Sequence, residues 1–369
     1  MGGNNLHFLE QDGETARRYR TGVCLHGHTM HSEECLSFLP RYLHHVPGIS
    51  QIVRGYQRER GVDFARAFWT PPLSPAAALA LEREQIANLG LRPLVSLTDH
   101  DNIEAGMTLQ VTADRSEVPV SVEWTVPYER SILHFGVHNL PRNRERSWMR
   151  AMAGYTAAPD ESLLPELLSE LAAAPDALIV LNHPFWLEEG VQEPDHRRAL
   201  ERVLRECLEW IDAFEINGTR SWEENARVIE LAEAHRRPVI SGGDRHACEP
   251  AAWINLTNAA SFSEFAAEVK DGRGTLLVMP QYAEPMAVRV LEAVWDILRP
   301  YPEYPGRTRW TDRVFYRGED GVARQLSVVW QGRVPWMLNG AAGLVQFVAT
   351  TRLRMALRLQ LAQRGEIAL

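Results

Sequence analysis

A chain of 369 residues with 45 % hydrophobic content can bury one large core and carry an appendage. Its formal net charge of −9 gives no overall attraction for a polyanion, so a small substrate is favoured and any nucleic acid would have to be held by local patches. No run approaches the roughly 20 apolar residues of a membrane span, the N-terminal M-G-G-N-N-L-H-F-L-E lacks the basic start and apolar stretch of a leader, and Cys24, Cys35, Cys207 and Cys248 form neither a zinc ribbon nor a disulfide framework; a soluble cytoplasmic protein in a reducing compartment is expected.

Strand-like and helix-like segments alternate from about Thr21 to Leu298, which predicts an α/β parallel architecture. The first strand-like run, Gly22–Leu25, leads into L-H-G-H-T-M-H-S-E-E, where His26 and His28 lie two apart and can point to one side. A long insertion follows, roughly 36–76, mixing aromatic and basic residues (Arg41, Tyr42, His44, His45, Arg54, Tyr56, Arg58, Arg60, Phe68, Trp69); it begins after a strand end and is expected over the active face, as a lid or substrate wall or as packing on the rim. Next comes Pro93–Thr98, running into S-L-T-D-H-D-N, an acid-His-acid cluster of Asp99, His100 and Asp101 in which the acids would orient the histidine or a water. Pro119–Glu123 ends on an acid that could bridge two metals, and Ile132–Val137 carries His134 with His138 just after it.

Helices are expected at Ser162–Ala174, Arg197–Trp210 and Ser221–His235 from apolar spacing and from Ser and Glu in the early turns. Between them, Ala177–Leu181 precedes His183 and Ala213–Ile216 precedes E-I-N-G-T-R with Arg220; after them, Pro238–Ser241 precedes G-G-D-R-H with Asp244, Arg245 and His246, and Thr275–Val278 is a further strand. The division expected is a barrel over residues 1–299 and an extension over 300–369, with a hairpin in Arg313–Trp330 turning at Glu319-Asp320-Gly321 and a helix over Leu344–Arg364 that could pack on the barrel or on a second copy.

In a barrel of parallel strands the C-terminal strand ends converge on one face, so histidines and acids distant in sequence become neighbours. The pattern therefore predicts a multinuclear metal centre. His44, His45, His138, His196 and His235 read as ordinary surface or core histidines, and Glu33 and Glu34 as ligands or solvated loop acids.

The ordered set H-x-H-T-x-x-S, T-D-H-D, a strand-end Glu, h-H-h-h-G, h-H-P and G-G-D-x-H, from about Gly22 to Cys248, closely resembles the PHP (polymerase and histidinol phosphatase) superfamily of metal-dependent phosphoesterases. The resemblance implies a distorted (β/α)7 TIM-like barrel with a trinuclear site. It assigns His26, His28, Glu123 and Asp244 to one metal, Glu123 with His134 and His183 to a second, and Glu33, His100 and His246 to a third. Two departures stand out: the family usually has Asp where this chain has Glu33, which leaves Glu34 or His31 as alternatives, and Cys24 replaces an Asp and is expected to be a buried thiol rather than a ligand.

The expected activity is hydrolysis of a phosphoester by a metal-activated hydroxide, on a small phosphorylated substrate, with two or three ions of Mn, Fe or Zn, which suit imidazole better than Mg does. Arg245 and Arg220 are candidates to hold phosphate oxygens. Alternatives are an exonuclease or oligonucleotide phosphodiesterase that binds short oligonucleotides, a hydrolase of a carbamate or other non-phosphate ester, and a metal-binding module without catalysis.

Overall fold

The computed structural model of the chain describes residues 5–9, 14, 16–36, 66–112, 118–188, 190–334 and 336–348. Among these, the strands are β1 (Asn5–Phe8), β2 (Thr21–Cys24), β3 (Glu34–Cys35), β4 (Ala67–Trp69), β5 (Arg92–Val95), β6 (Val122–Tyr128), β7 (Ser131–His138), β8 (Leu178–Asn182), β9 (Ala213–Asn217), β10 (Val239–Gly242), β11 (Trp253–Thr257), β12 (Thr275–Val278), β13 (Val314–Arg317) and β14 (Ala323–Gln325). They form three sheets, in the orders β1-β12-β11-β2-β5, β10-β9-β8-β7-β6 and β14-β13-β4-β3.

The apolar runs become strands covered on both faces: every residue of β8 (L-I-V-L-N) and β9 (A-F-E-I-N) is buried, as expected for strands with helices outside and a packed interior inside. The connecting helices include Pro75–Ala87, Leu164–Ala172, Glu193–Cys207 and Trp222–His235. Local chemistry sets their ends. Ser74 accepts from the Ala77 amide with Pro75 in the first turn, and Ser221 accepts from the Glu224 amide, while Arg236 closes that helix in the left-handed region at φ +54°. Leu164, Leu168 and Leu171 point inward from one helix and meet Trp124, Phe135, Leu200 and Val203 in the largest core cluster.

Four findings correct the sequence expectations. The strands are not all parallel: β7 runs antiparallel to both β6 and β8, and β11 runs antiparallel to both β2 and β12. The hydrogen-bonded ladders form separate sheets and do not close a barrel among the described residues; the two large sheets touch through single bridges, Gly27 with Arg245 and His100 with Glu123. Glu123 is the second residue of β6 and not the end of a strand, because its run continues into a hairpin that turns about Glu129, at φ +52°, and returns as β7 with His134 inside it, as expected. Finally, the tail hairpin forms as expected, with Gly321 at φ +74° in its turn, but it pairs with β4 at the end of the insertion, so insertion and tail share one sheet. Residues 37–65, including Arg41, Tyr42, His44, His45, Arg54, Tyr56, Arg58 and Arg60, lie outside the described residues, as do 349–369; the last described helix begins earlier than expected, at Trp336, and runs to Val348.

Candidate metal centre

Six segments on or just after strands bring their side chains to one place. His26 and His28 leave β2, His100 follows β5, Glu123 opens β6, His134 projects from β7, His183 follows β8, and Asp244 and His246 follow β10. Glu123 lies at the middle, fully buried. Its Oε2 is 2.9 Å from His26 Nε2, 3.4 Å from His28 Nε2 and 3.3 Å from His100 Nε2, while its Oε1 is 3.0 Å from His183 Nε2 and accepts from Asn182 Nδ2 at 3.0 Å. Asp244 Oδ1 stands 3.4 Å from His28 Nε2 and 3.7 Å from His26 Nε2.

The third carboxylate of the set is Glu34, not Glu33. Glu34 is buried, with Oε1 accepting from Ser32 and standing 3.6 Å from His28 Nδ1, and Oε2 at 3.5 Å from His100 Nε2 and 3.4 Å from His246 Nε2. Glu33 faces outward, 56 % exposed, in an ion pair with Arg317 at 2.8 Å. Successive residues of extended chain point to opposite sides, so only one of two adjacent acids can enter the centre.

These donors fit a cation. Five groups of three, His26-His28-Glu123, His26-His183-Glu215, His28-Glu34-His100, His28-Asp244-His246 and Glu123-His134-His183, each place their ligand atoms within 4.8 Å of one another. His26 Nε2 and His28 Nε2 face each other at 3.0 Å, and both also face carboxylate oxygens. Converging nitrogen lone pairs and anionic oxygens suit a transition ion. The electrostatics agree. Burial pushes the Glu123 carboxyl up, but His26 and His100 outweigh it and hold it well below the usual range; His100, His246 and His28 do the same for Glu34, and His26, a bond from His28, and His246 for Asp244. With protons as the only cations, the imidazoles answer: burial lowers His246, but Glu34 and Asp244 raise it to about 10, and Glu123 and Glu215 raise His26 likewise. Burial dominates at His28, which is lowered to about 4, and at His134, which is held well below the usual imidazole range.

Glu215 was missed by sequence reasoning. It accepts at Oε1 from His26 Nδ1 at 2.6 Å and at Oε2 from the His183 amide at 3.0 Å, fixing one ring and the backbone of another candidate ligand. Its only sequence signal is an acid inside the apolar run A-F-E-I-N. The nearby Gly242 has a steric reason: a Cβ there would lie 1.8 Å from Glu215 Oε1 and 2.3 Å from His26 Cβ. Two candidate ligands, His183 at φ +26° and Asp244 at φ +49°, sit in the left-handed region that side chains avoid, a strain that marks functional positions.

The four residues proposed for support roles separate. Arg220 stands beside the cluster, its NH2 3.6 Å from Asp244 Oδ2 and its guanidinium 3.7 Å above the Trp186 ring. Arg245 is only 4 % exposed and bonds Glu82 at 3.0 Å and Gln85 at 2.5 Å, so those helix side chains take up its guanidinium and it is not presented to a substrate. Asp99 accepts from the amide and the hydroxyl of Thr29, bracing the loop after His28 instead of His100, and burial lifts its carboxyl to about 7 against those bonds. Asp101, at φ +48°, accepts from the Thr125 amide at 2.9 Å and so ties its loop to β6. His138 is buried away from this set, with Nδ1 2.8 Å from Ser96 Oγ. Cys24 is a buried free thiol whose pKa burial and Glu82 raise. No helix among the described residues is long and apolar enough to cross a membrane.

No family model and no curated protein matches the chain. Among solved structures it is similar to a candidate metal-dependent phosphoesterase from Bifidobacterium adolescentis, at 14 % identity over 55 % of this chain and 92 % of that one with a TM-score of 0.34. It is similar also to PsfC from Pseudomonas syringae, at 14 % over 72 % and 93 % with 0.42, and to an amidohydrolase from Chromobacterium violaceum with bound sulfate and no metal, at 14 % over 48 % and 84 % with 0.35. Likenesses this distant assign neither a family nor an activity.

Proposed function

We propose that this chain is a metal-dependent hydrolase of phosphoesters, acting on a small phosphorylated molecule with two or three Mn, Fe or Zn ions. The observation that carries the reading is Glu123: one buried carboxylate with His26, His28 and His100 around one oxygen and His183 at the other, the arrangement of a bridging ligand. His26, His28, Glu123 and Asp244 would hold one ion, Glu123, His134 and His183 a second, and Glu34, His100 and His246 a third, with Glu34 in the place first given to Glu33. Such ions, when bound, lower the pKa of a coordinated water toward neutrality and neutralise charge on phosphoryl oxygens. The chain's own residues do the rest. Glu215 orients the His26 ring, Asn182 holds Glu123 by its amide, and Arg220, planar on Trp186, presents a fixed cation at the edge of the cluster where a phosphate oxygen would be met.

The resemblance to the PHP superfamily supports the same reading. The single bridges at Gly27 and His100 support treating β2 and β5 through β10 as an interrupted ring of seven strands, with the candidate ligands at one mouth.

The test is elemental analysis of protein purified without chelator, together with turnover of an aryl phosphate and the matching diester, for the wild type and Glu123→Gln. Two to three ions per chain with metal-dependent turnover are expected, and Glu123→Gln should lose metal and at least about 100-fold in rate, beyond what loss of a supporting residue costs. Preference for the diester would move the assignment to an oligonucleotide phosphodiesterase. Metal without cleavage of either ester would move it to a carbamate or other non-phosphate ester, or to a metal-binding module without catalysis. Absence of metal even after reconstitution would overturn it.

A further inference from the structure

β3 supplies the Glu34 carboxylate and, among the described residues, is an edge strand paired on one side only. It is two residues long, and its strand partner among the described residues is the three-residue β4, in the register Glu34 with Trp69 and Cys35 with Phe68. A ribbon this short is not stable alone. β4 is held from its other side by β13 of the C-terminal hairpin, through Val314 with Trp69, Phe315 with Phe68 and Tyr316 with Ala67.

Strand alternation then sorts the side chains. Glu34 and Trp69 share the inner face, and the Trp69 ring lies 5.6 Å from that of His246, itself a neighbour of Glu34. On the outer face Phe68 and Phe315 stack at 5.3 Å, Arg317 lies 5.2 Å over the Phe68 ring, and Arg317 donates to Glu33, the residue next to Glu34, across 284 positions of sequence. The hairpin is fixed in turn. Arg313 donates to the carbonyls of Arg307, Thr308, Ile297 and Arg299, the Thr70 amide donates to Arg313 O at 2.9 Å, and Arg307 donates to Thr70 and Pro71 just beyond β4.

We propose that the C-terminal hairpin Val314–Gln325 is a positioning element of the metal centre: by pairing with β4 it fixes β3 and so holds Glu34 against His28, His100 and His246. The proposal rests on the metal-centre reading above and adds that one half of the centre, the Glu34 half, depends on the tail while the Glu123-His134-His183 half does not.

The test uses the full-length chain and reads metal binding without reference to turnover. Phe315→Pro removes a ladder N–H from a strand paired on both sides. The double variant Phe315→Ala, Arg317→Ala removes the aromatic stack and the ion pair but no backbone bond, and carries the test where the proline variant does not fold. Calorimetric titration with Mn and with Zn, and metal per chain after dialysis, should show the wild-type set of sites with one step weakened by about 10- to 100-fold, the size expected when the support of a ligand is lost, and the others unchanged. Glu34→Gln should weaken the same step, and adding it to the hairpin variant should cost much less than it does alone, since both act on one group. Wild-type count and affinity in a folded hairpin variant, or fully additive losses with Glu34→Gln, would overturn the proposal and leave the metal centre standing. A wild-type chain that takes up no metal would overturn both.

Discussion

Adjacent acids show how much one residue of register decides. Glu33 and Glu34 are chemically equal, yet Glu34 faces three histidines and Glu33 faces solvent and Arg317. Glu34→Gln keeps the volume and removes the charge, so it should lower metal per chain in elemental analysis, whereas Glu33→Gln should leave the count unchanged; equal losses from both would sink the assignment. His138 makes a second point at this scale. It is buried with Ser96 Oγ at 2.8 Å, and burial, then His26, lower its pKa to about 3. A histidine depressed in the folded state contributes stability above its unfolded pKa of about 6.5 and loses it as pH falls toward the folded value. Thermal midpoints measured from pH 7 to pH 4 should therefore fall less steeply for His138→Gln than for the wild type, whatever the variant's midpoint at neutral pH; parallel curves would show that His138 carries no such linkage.

At the scale of elements, the strands that alternate with helices were legible because an apolar run bounded by polar residues has few other folds open to it. β2, β5, β8, β9, β10 and β12 lie within a few residues of their expected positions, and the candidate ligands that follow β2, β5, β8 and β10 were legible with them. Strand direction was not legible, since β7 looks the same in sequence whether it runs parallel or antiparallel, and the strand-end argument for Glu123 failed because β6 begins at Val122, three residues after the start of the expected Pro119–Glu123 run. β3 and β4 are too short to carry a period, and Glu215 differs from any strand acid only by its partners. The tail adds the case of Arg313, nearly fully buried with four carbonyls around its guanidinium. Arg313→Ala strands those acceptors and should destabilise the segment by about 3 kcal/mol or more, at the upper end of the cost of leaving buried polar groups unpaired. Hydrogen exchange would show faster opening of β13 and β14 than of β8 and β9, while Arg324→Ala, an exposed pair with Asp320, should leave the exchange pattern as it is; uniform protection in Arg313→Ala would refute the clamp.

Among the described residues, two five-stranded sheets meet through single backbone bridges where the candidate ligands lie, and the third, four-stranded sheet brings in Glu34. His26, His28 and His100 come from the sheet containing β2 and β5, while Glu123, His134, His183, Asp244 and His246 come from the other five-stranded sheet, so a bound ion would cross-link the two. The same buried acids that would hold the ion are a liability without one, because Glu34, Glu123, Glu215 and Asp244 are each at most 7 % exposed and must then be matched by protons on histidine. A ligand that binds only the folded state stabilises by mass action, about 4 kcal/mol when it is present at a thousandfold over its Kd. Removing metal with a chelator should therefore lower the unfolding temperature by several degrees, and returning Mn or Zn should restore it. Glu123→Gln should shrink that difference, because the carboxylate that joins the two halves is gone. Loss of stability on chelation that is the same in Glu123→Gln would place the responsible ion elsewhere, and a melting temperature indifferent to chelator in wild type known to contain metal would mean that the ions do not join the sheets.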